Sequence, residues 1–67
     1  MNASSEVSNL EGACPNLVFS VEGMRVSTDS ATQIEDGSCA EIVNGKGVEV
    51  EGVARDGVLY ASEVDLD

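Results

Sequence analysis

Carboxylates are the side chains of this sequence with the greatest capacity for chemistry. Thirteen Asp and Glu residues stand against three Lys and Arg residues, and there is no His. Asp29, Glu35 and Asp36 lie around two predicted turns, where their oxygens could bind a hard cation such as calcium. Their spacing does not follow the EF-hand pattern. Asp is also typical of tight turns, so turn formation is the favoured interpretation and weak calcium binding is the alternative.

A second pair of carboxylates, Glu49 and Glu51, is two residues apart in a predicted strand, so both side chains share one face. Such a pair could bind calcium or act in acid–base catalysis, but it is more simply the solvated face of an amphipathic strand. Nucleophilic catalysis needs a nucleophile and a base, and Cys14 has no His to activate it. We therefore predict that the domain is not an enzyme and uses no cofactor.

The two cysteines, Cys14 and Cys39, allow three interpretations: a disulfide, two buried thiols, or half of a metal site. A metal site would need further Cys or His ligands, which the chain lacks. A redox pair is usually spaced as Cys-x-x-Cys, which this pair is not. A disulfide suits a 67-residue domain that is short of core. The disulfide is favoured, and the residues alone leave the alternatives open.

The elements that must position these residues are short runs of alternating apolar and polar residues. Gly45–Gly52 and Gly57–Val64 are joined through Arg55-Asp56-Gly57, and Asp-Gly between alternating runs predicts a β-hairpin. Leu17–Val21 and Met24–Thr28 predict a second hairpin, which reverses at Glu22-Gly23. No segment has both the period and the length of a helix.

The alternation also predicts which side chains form the core. The residues expected to point inward in the first three clear strands are Leu17, Phe19, Val21, Met24, Val26, Val48 and Val50. In the last strand, Val58, Tyr60, Ser62, Val64 and Leu66 share one face, and Leu59 and Ala61 lie on the other. Because both faces carry apolar residues, we expect a bulge or a segment buried on both sides. Gly52 marks a further bulge or bend that would help a small sheet to curl.

These elements predict an all-β fold, a small antiparallel OB-like barrel of four to five short strands arranged as a meander. Residues 1–5 are expected to form a frayed N-terminus, and residues 6–67 a single small barrel domain. Glu6–Leu10 supplies only a short first strand, so we expect the barrel to be incompletely closed or excised from a longer chain.

The formal net charge of −10 narrows the classes of partner. Such a chain repels nucleic-acid backbones and anionic lipid headgroups, so we predict no nucleic-acid binding. Phe19 and Tyr60 are the only aromatic residues, and in so small a barrel they are expected to be core rather than a stacking platform. No apolar run is long enough to insert in a membrane, and the N-terminal residues do not have the pattern of a signal peptide.

Several phrases, in order and well spaced between Ser8 and Leu66, give the chain a family resemblance. They are Cys14-Pro15-Asn16-Leu17, Phe19-Ser20-Val21-Glu22-Gly23, Val26, Thr32 before Ile34, Gly37-Ser38-Cys39, Gly45-Lys46-Gly47-Val48-Glu49-Val50-Glu51-Gly52 and Asp56-Gly57-Val58-Leu59-Tyr60-Ala61-Ser62-Glu63-Val64. With these phrases the chain resembles a bacterial domain of unknown function, family 5666, whose members are small OB-fold-like β-barrels of exported proteins.

The resemblance implies a Cys14–Cys39 disulfide and a periplasmic or extracellular location, and it carries no catalytic residues. The chain departs from the family in lacking a fuller first strand upstream of the Cys-Pro phrase. We expect the Leu17–Thr28 hairpin or the Val58–Leu66 strand to offer an under-protected edge. It would make a β-edge contact with a second copy, as weak self-association, or with a neighbouring domain of a longer chain.

Together these observations predict a non-enzymatic accessory or interaction module of an exported bacterial protein. Its expected partner is a protein or a glycan, with a cationic partner favoured by the charge. A barrel that binds a small ligand, or binds calcium weakly, is the alternative.

Overall fold

The computed structural model describes residues 1–67, of which most lie in seven β-strands. The strands are β1 (Asn2–Glu6), β2 (Ser8–Ala13), β3 (Asn16–Val21), β4 (Met24–Ser27), β5 (Gln33–Glu35), β6 (Gly47–Arg55) and β7 (Val58–Leu66). A single 3-10 turn, Cys39–Glu41, lies between β5 and β6. No helix is both long enough and apolar enough to cross a membrane.

All strands belong to one curled sheet in the order β1-β6-β7-β4-β3-β2, and β5 pairs with β7 beside β4. The two terminal strands of this order, β1 and β2, are separated in sequence only by Val7. The chain therefore bends at Val7, so that β1 pairs with β6 and β2 pairs with β3. The sheet is barrel-like and not closed, which confirms the prediction of an all-β, incompletely closed barrel.

The pairing pattern corrects one part of that prediction, the purely antiparallel meander. β4 and β5 both run parallel to β7. A parallel pair needs a long connection between its strands, and the chain between β4 and β7 is long enough to supply one. The number of strands also exceeds the expected four to five, because the N-terminal segment and β5 add pairings that their sequences signal only weakly.

The core lies inside the curled sheet and consists almost entirely of aliphatic side chains around one aromatic ring. Its thirteen members are Ala3, Val7, Leu17, Phe19, Val21, Val26, Ile42, Val48, Val50, Leu59, Ala61, Val64 and Leu66. The alternation predicted for Leu17, Phe19 and Val21 is confirmed, as is that for Val48 and Val50. Met24 is only partly buried and packs against the margin of the core.

A bulge in β7 decides which of its residues face inward. Glu51 pairs with Glu63 but Gly52 pairs with Ala61, so Ser62 is an extra residue opposite β6. An extra residue in one strand shifts the alternation of faces beyond it. Leu59 and Ala61 are therefore buried before the bulge, and Val64 and Leu66 after it. Tyr60 consequently faces outward, which corrects its predicted place among the inward residues.

The N-terminal segment differs most from expectation. Residues 1–5 were expected to be frayed, but β1 (Asn2–Glu6) pairs with β6 over its whole length. Ala3 lies opposite Val50 and is buried in the core. The first strand predicted at Glu6–Leu10 is replaced by β1 and β2, which meet at the buried Val7.

Candidate functional site

A disulfide joins the residue that follows β2, Cys14, to Cys39 in the 3-10 turn. The sulfur atoms of Cys14 and Cys39 are 2.09 Å apart and the two Cα atoms are 6.1 Å apart. The favoured interpretation of the two cysteines is thus confirmed, and the chain has no free thiol. A disulfide is compatible with an oxidising location such as the periplasm or the extracellular space.

The predicted cation ligands do not come together. The Asp29 carboxylate accepts a hydrogen bond of 2.8 Å from the Ala31 amide, and this bond closes a local turn. Glu35 lies in β5, and Asp36 adopts a left-handed backbone conformation in the turn that follows. No group of three or more His, Cys, Asp or Glu side chains is arranged to hold a metal ion, and no pocket is found on the surface.

Other carboxylates, from three neighbouring strands, do come together on the outer face of the sheet. Glu51 lies opposite Glu63, and Glu49 lies opposite Asp65. Glu35 of β5 pairs with Asp65 from the other side. We call these five residues the acidic rows. The predicted solvated face of Glu49 and Glu51 is thus exposed and part of a larger set of like charges that spans adjacent strands.

The acidic rows change the titration of one member. The pKa of Glu63 is raised above its usual value, first by a side-chain hydrogen bond with Asp65 and then by the negative charge of Asp65. Partial desolvation and the charges of Glu51 and Glu35 act in the same direction. A proton on Glu63 removes one of these like charges and lets its carboxyl group donate a hydrogen bond to Asp65.

A patch of different chemistry occupies the outer face of the same sheet beyond the bulge. Val53 of β6 lies directly opposite Tyr60 of β7, and their side chains are 68% and 44% exposed. The guanidinium carbon of Arg55 lies 5.3 Å from the centre of the Tyr60 ring, within the range of a cation–π contact. We call Val53, Arg55 and Tyr60 the Tyr60 patch.

A further cation borders the Tyr60 patch. Arg25 of β4 pairs in register with Val58, and Val58 in turn lies opposite Arg55. Arg25 forms one ion pair, with Glu11 of β2 at 3.8 Å, and both side chains are exposed, so the pair contributes little to stability. Two of the three cations of the chain thus lie on this side of the bulge, and the acidic rows lie on the other side.

The Tyr60 patch combines residue types that are common at protein contact surfaces. It offers an aromatic ring, an aliphatic side chain and a guanidinium on two paired strands. Sequence reasoning missed it because Tyr60 was assigned to the inward face of its strand. Gly52, already predicted to mark a bulge, was the signal that could have corrected this assignment.

Comparison with known proteins identifies a family for this chain but no individual relative. No curated protein and no solved structure matches the chain. Residues 7–65 match a family described as Domain of unknown function (DUF5666), and this range covers β2 to β6, all of β7 except Leu66, and both cysteines. The match confirms the family suggested by the Cys-Pro, Gly-Ser-Cys and Gly-Val phrases. The chain therefore belongs to the DUF5666 family.

Proposed function

We propose that this chain is a non-enzymatic interaction module of an exported protein, and that it binds a protein partner through the Tyr60 patch. The observation that carries the proposal is the exposed pairing of Val53 with Tyr60 beside Arg55. Tyr and Arg are enriched among the residues that dominate binding energy at protein interfaces. Both paired strands are fixed in the sheet, so the patch is preorganised and binding would cost little ordering.

The OB-like reading of the fold supports the same surface. If β1 and β2 are counted as one bent strand, β3 and β4 become the second and third strands, and the Asp56-Gly57 turn joins the fourth and fifth. OB-folds bind ligands over the second and third strands and the loop between the fourth and fifth. The Tyr60 patch borders that turn and lies beside β4, where Ser27 pairs with Tyr60.

A protein is a better fit to the patch than a base or a sugar. Stacking ligands need a free aromatic face, and Arg55 already lies over the Tyr60 ring. The net charge of −10 further opposes nucleic acid. Val53, the most exposed of the large apolar side chains, has no role in stacking but suits an apolar contact at a protein interface. Export is supported by the Cys14–Cys39 disulfide.

The test compares capture by the wild-type domain with capture by three single variants, Tyr60→Ala, Val53→Ser and Val43→Ser. Val43 is 50% exposed and lies outside the Tyr60 patch, so Val43→Ser is the matched control. Envelope proteins of the producing cells are captured, identified by mass spectrometry, purified and titrated against each variant by calorimetry. We expect a partner whose binding weakens about tenfold or more in both patch variants and is unchanged in Val43→Ser.

A purified partner that binds the patch variants and the wild type equally would overturn the proposal. Parallel titrations with an oligosaccharide array and with single-stranded DNA test the other classes of ligand. Binding of either that is lost in Tyr60→Ala would replace the protein partner by that ligand.

A further inference from the structure

The outer edge of β1 carries backbone groups that no strand of the sheet pairs with. Met1 and Gly52 exchange hydrogen bonds in both directions, at 2.8 and 3.0 Å, and the Val7 amide donates to the Lys46 carbonyl at 2.9 Å. Because antiparallel bonding alternates along a strand, the odd-numbered residues of this segment bond towards β6. The backbone groups of Asn2, Ser4 and Glu6 therefore point to the opposite edge, and β1 is terminal in the sheet.

One side chain covers part of this edge. The Ser4 amide donates a hydrogen bond to the carboxylate of Glu22, which lies in the turn between β3 and β4. Glu22 has a φ of 53°, in the left-handed region that Glu rarely adopts. The carboxylate is exposed and held by this one hydrogen bond, so the carbonyl of an incoming strand can replace it as the acceptor for Ser4.

The edges expected to be open are covered instead. β3 is paired with β2 and β4, and β7 is paired with β6 on one side and with β4 and β5 on the other. Around the free edge of β2, the Leu10 amide is bonded to the Asn44 side chain, and the loop before β6 lies alongside. β3 lies near β1 on this side, because the chain continues from Val7 into β2 and its pairing with β3. No strand is hydrogen-bonded to the outer edge of β1, so a further strand can add there.

Charge identifies the strand that would fit. The outward side chains Asn2 and Ser4 lie opposite Glu51 and Glu49, which continue into the acidic rows. A strand added to β1 would place alternate side chains on this outer face beside Asn2, Ser4 and Glu22, from where long basic side chains can extend across β1 towards Glu49 and Glu51. Basic residues at alternate positions would meet these carboxylates, whereas a second copy of this chain would bring a further net charge of −10.

We infer that the outer edge of β1 binds an extended segment of a partner protein by β-strand addition, and that this segment carries basic residues at alternate positions. Main-chain hydrogen bonds to Asn2, Ser4 and Glu6 supply the affinity, and the acidic face selects the basic side chains. On binding, the Ser4 amide exchanges the Glu22 carboxylate for a partner carbonyl, and Glu22 becomes free to pair with a partner cation. This surface is separate from the Tyr60 patch, so either proposal can fail alone.

The probe is a capped, fluorescein-labelled nine-residue peptide of alternating lysine and valine, titrated against the whole chain by fluorescence anisotropy. Two control peptides are used: one with Glu in place of Lys, and one with every backbone amide N-methylated, which keeps the charge but cannot add as a strand. We expect binding of the first peptide only. Amide exchange of Asn2, Ser4 and Glu6 should slow when it binds, because these groups then pair with the peptide.

Two variants separate strand addition from general attraction between charges. Ser4→Pro removes an edge amide without removing a bond to β6, and proline is tolerated on the free side of an edge strand. Glu63→Gln removes one charge from the acidic rows and leaves the edge intact. We expect Ser4→Pro to weaken peptide binding about tenfold or more and Glu63→Gln to weaken it much less.

Equal binding of the N-methylated peptide would overturn the inference, because charge alone would then account for the affinity. So would unchanged exchange of the three edge amides on binding, a readout that does not depend on how Ser4→Pro folds. Sedimentation of the chain without peptide tests whether a second copy binds this edge. A dimer in which the Asn2, Ser4 and Glu6 amides are protected from exchange would assign the edge to a second copy instead.

Discussion

Glu51 and Glu63 lie directly opposite each other on β6 and β7, next to the bulge, with their carboxylates on the outer face. Like charges in directly opposed positions of an antiparallel pair destabilise it. The bulge also separates this acidic half of the face from the half that carries Arg25, Arg55 and Tyr60. The resulting division of charge along one sheet underlies the first two predictions.

The first prediction concerns pH. The pKa of Glu63 in the folded chain is raised above its usual 4.5, so between these two values the native state holds more protons than the unfolded state. The contribution of Glu63 to stability is therefore most favourable at or below about pH 4.5 and is lost as the pH rises through the folded pKa. Urea unfolding of the wild type should show greater stability at pH 5 than at pH 7.

Glu63→Gln tests the origin of this dependence. Gln can donate a hydrogen bond to Asp65 without a charge, so this variant should be more stable than the wild type at pH 7 and should vary less between pH 5 and pH 7. Glu6→Gln is the control, because the residue directly opposite Glu6 is Gly47, which carries no charge. An equal loss of pH dependence in both variants would mean that net charge, not the neighbours of Glu63, is the cause.

The second prediction concerns salt. Glu49 lies opposite Asp65, and replacing it by Gln should stabilise the domain by about 0.2–1 kcal/mol in low salt. The gain should shrink as salt screens the repulsion, while the wild type itself becomes more stable. Thermal unfolding across a sodium chloride series measures both effects, with Glu6→Gln again as the control for net charge. A melting temperature of the wild type that falls between low and moderate salt would contradict this account.

The sequence was sufficient for the parts of the fold that depend on local pattern. Strict alternation of apolar residues placed Leu17, Phe19 and Val21 in the core, and Asp56-Gly57 was enough to identify the β6–β7 hairpin. Two cysteines in so small a domain pointed to the disulfide. Each of these signals lies within a few residues of chain or follows from domain size, which sequence reasoning handles well.

The remaining features depend on distant parts of the chain. β1 contains one apolar residue, Ala3, and forms because β6 and the core accept it rather than because of its own propensity. The parallel pairing of β4 with β7 joins residues more than 30 positions apart, for example Val26 and Leu59, and leaves no local signature. The Tyr60 patch was missed because the extra residue, Ser62, reverses the faces of β7.

The third prediction concerns the disulfide, which spans a sequence separation of 25 residues. By its effect on the entropy of the unfolded chain, it should contribute about 3–4 kcal/mol to stability. Reductant should therefore lower the urea midpoint of the wild type. The double variant Cys14→Ser, Cys39→Ser should have the same urea midpoint as the reduced wild type, and reductant should not change it. Two thiols that alkylate freely in the native, non-reduced protein would show that the bond does not form in solution.

The fourth prediction concerns Gly52, where the β-bulge brings the strands unusually close. A Cβ atom at this position would collide with the carbonyl oxygen of Tyr60 and would lie 2.9 Å from the Cα of Ala61, and neither backbone atom can move without disturbing the ladder. Gly52→Ala should therefore destabilise the domain by about 1–3 kcal/mol, the usual range for overpacking. The matched control is Gly47→Ala in the same strand, whose Cβ would meet only the flexible side chain of Asp67. Urea unfolding of the two variants decides the matter: equal stabilities would mean that β7 can withdraw from β6 at the bulge, and that the outward position of Tyr60 does not depend on a glycine there.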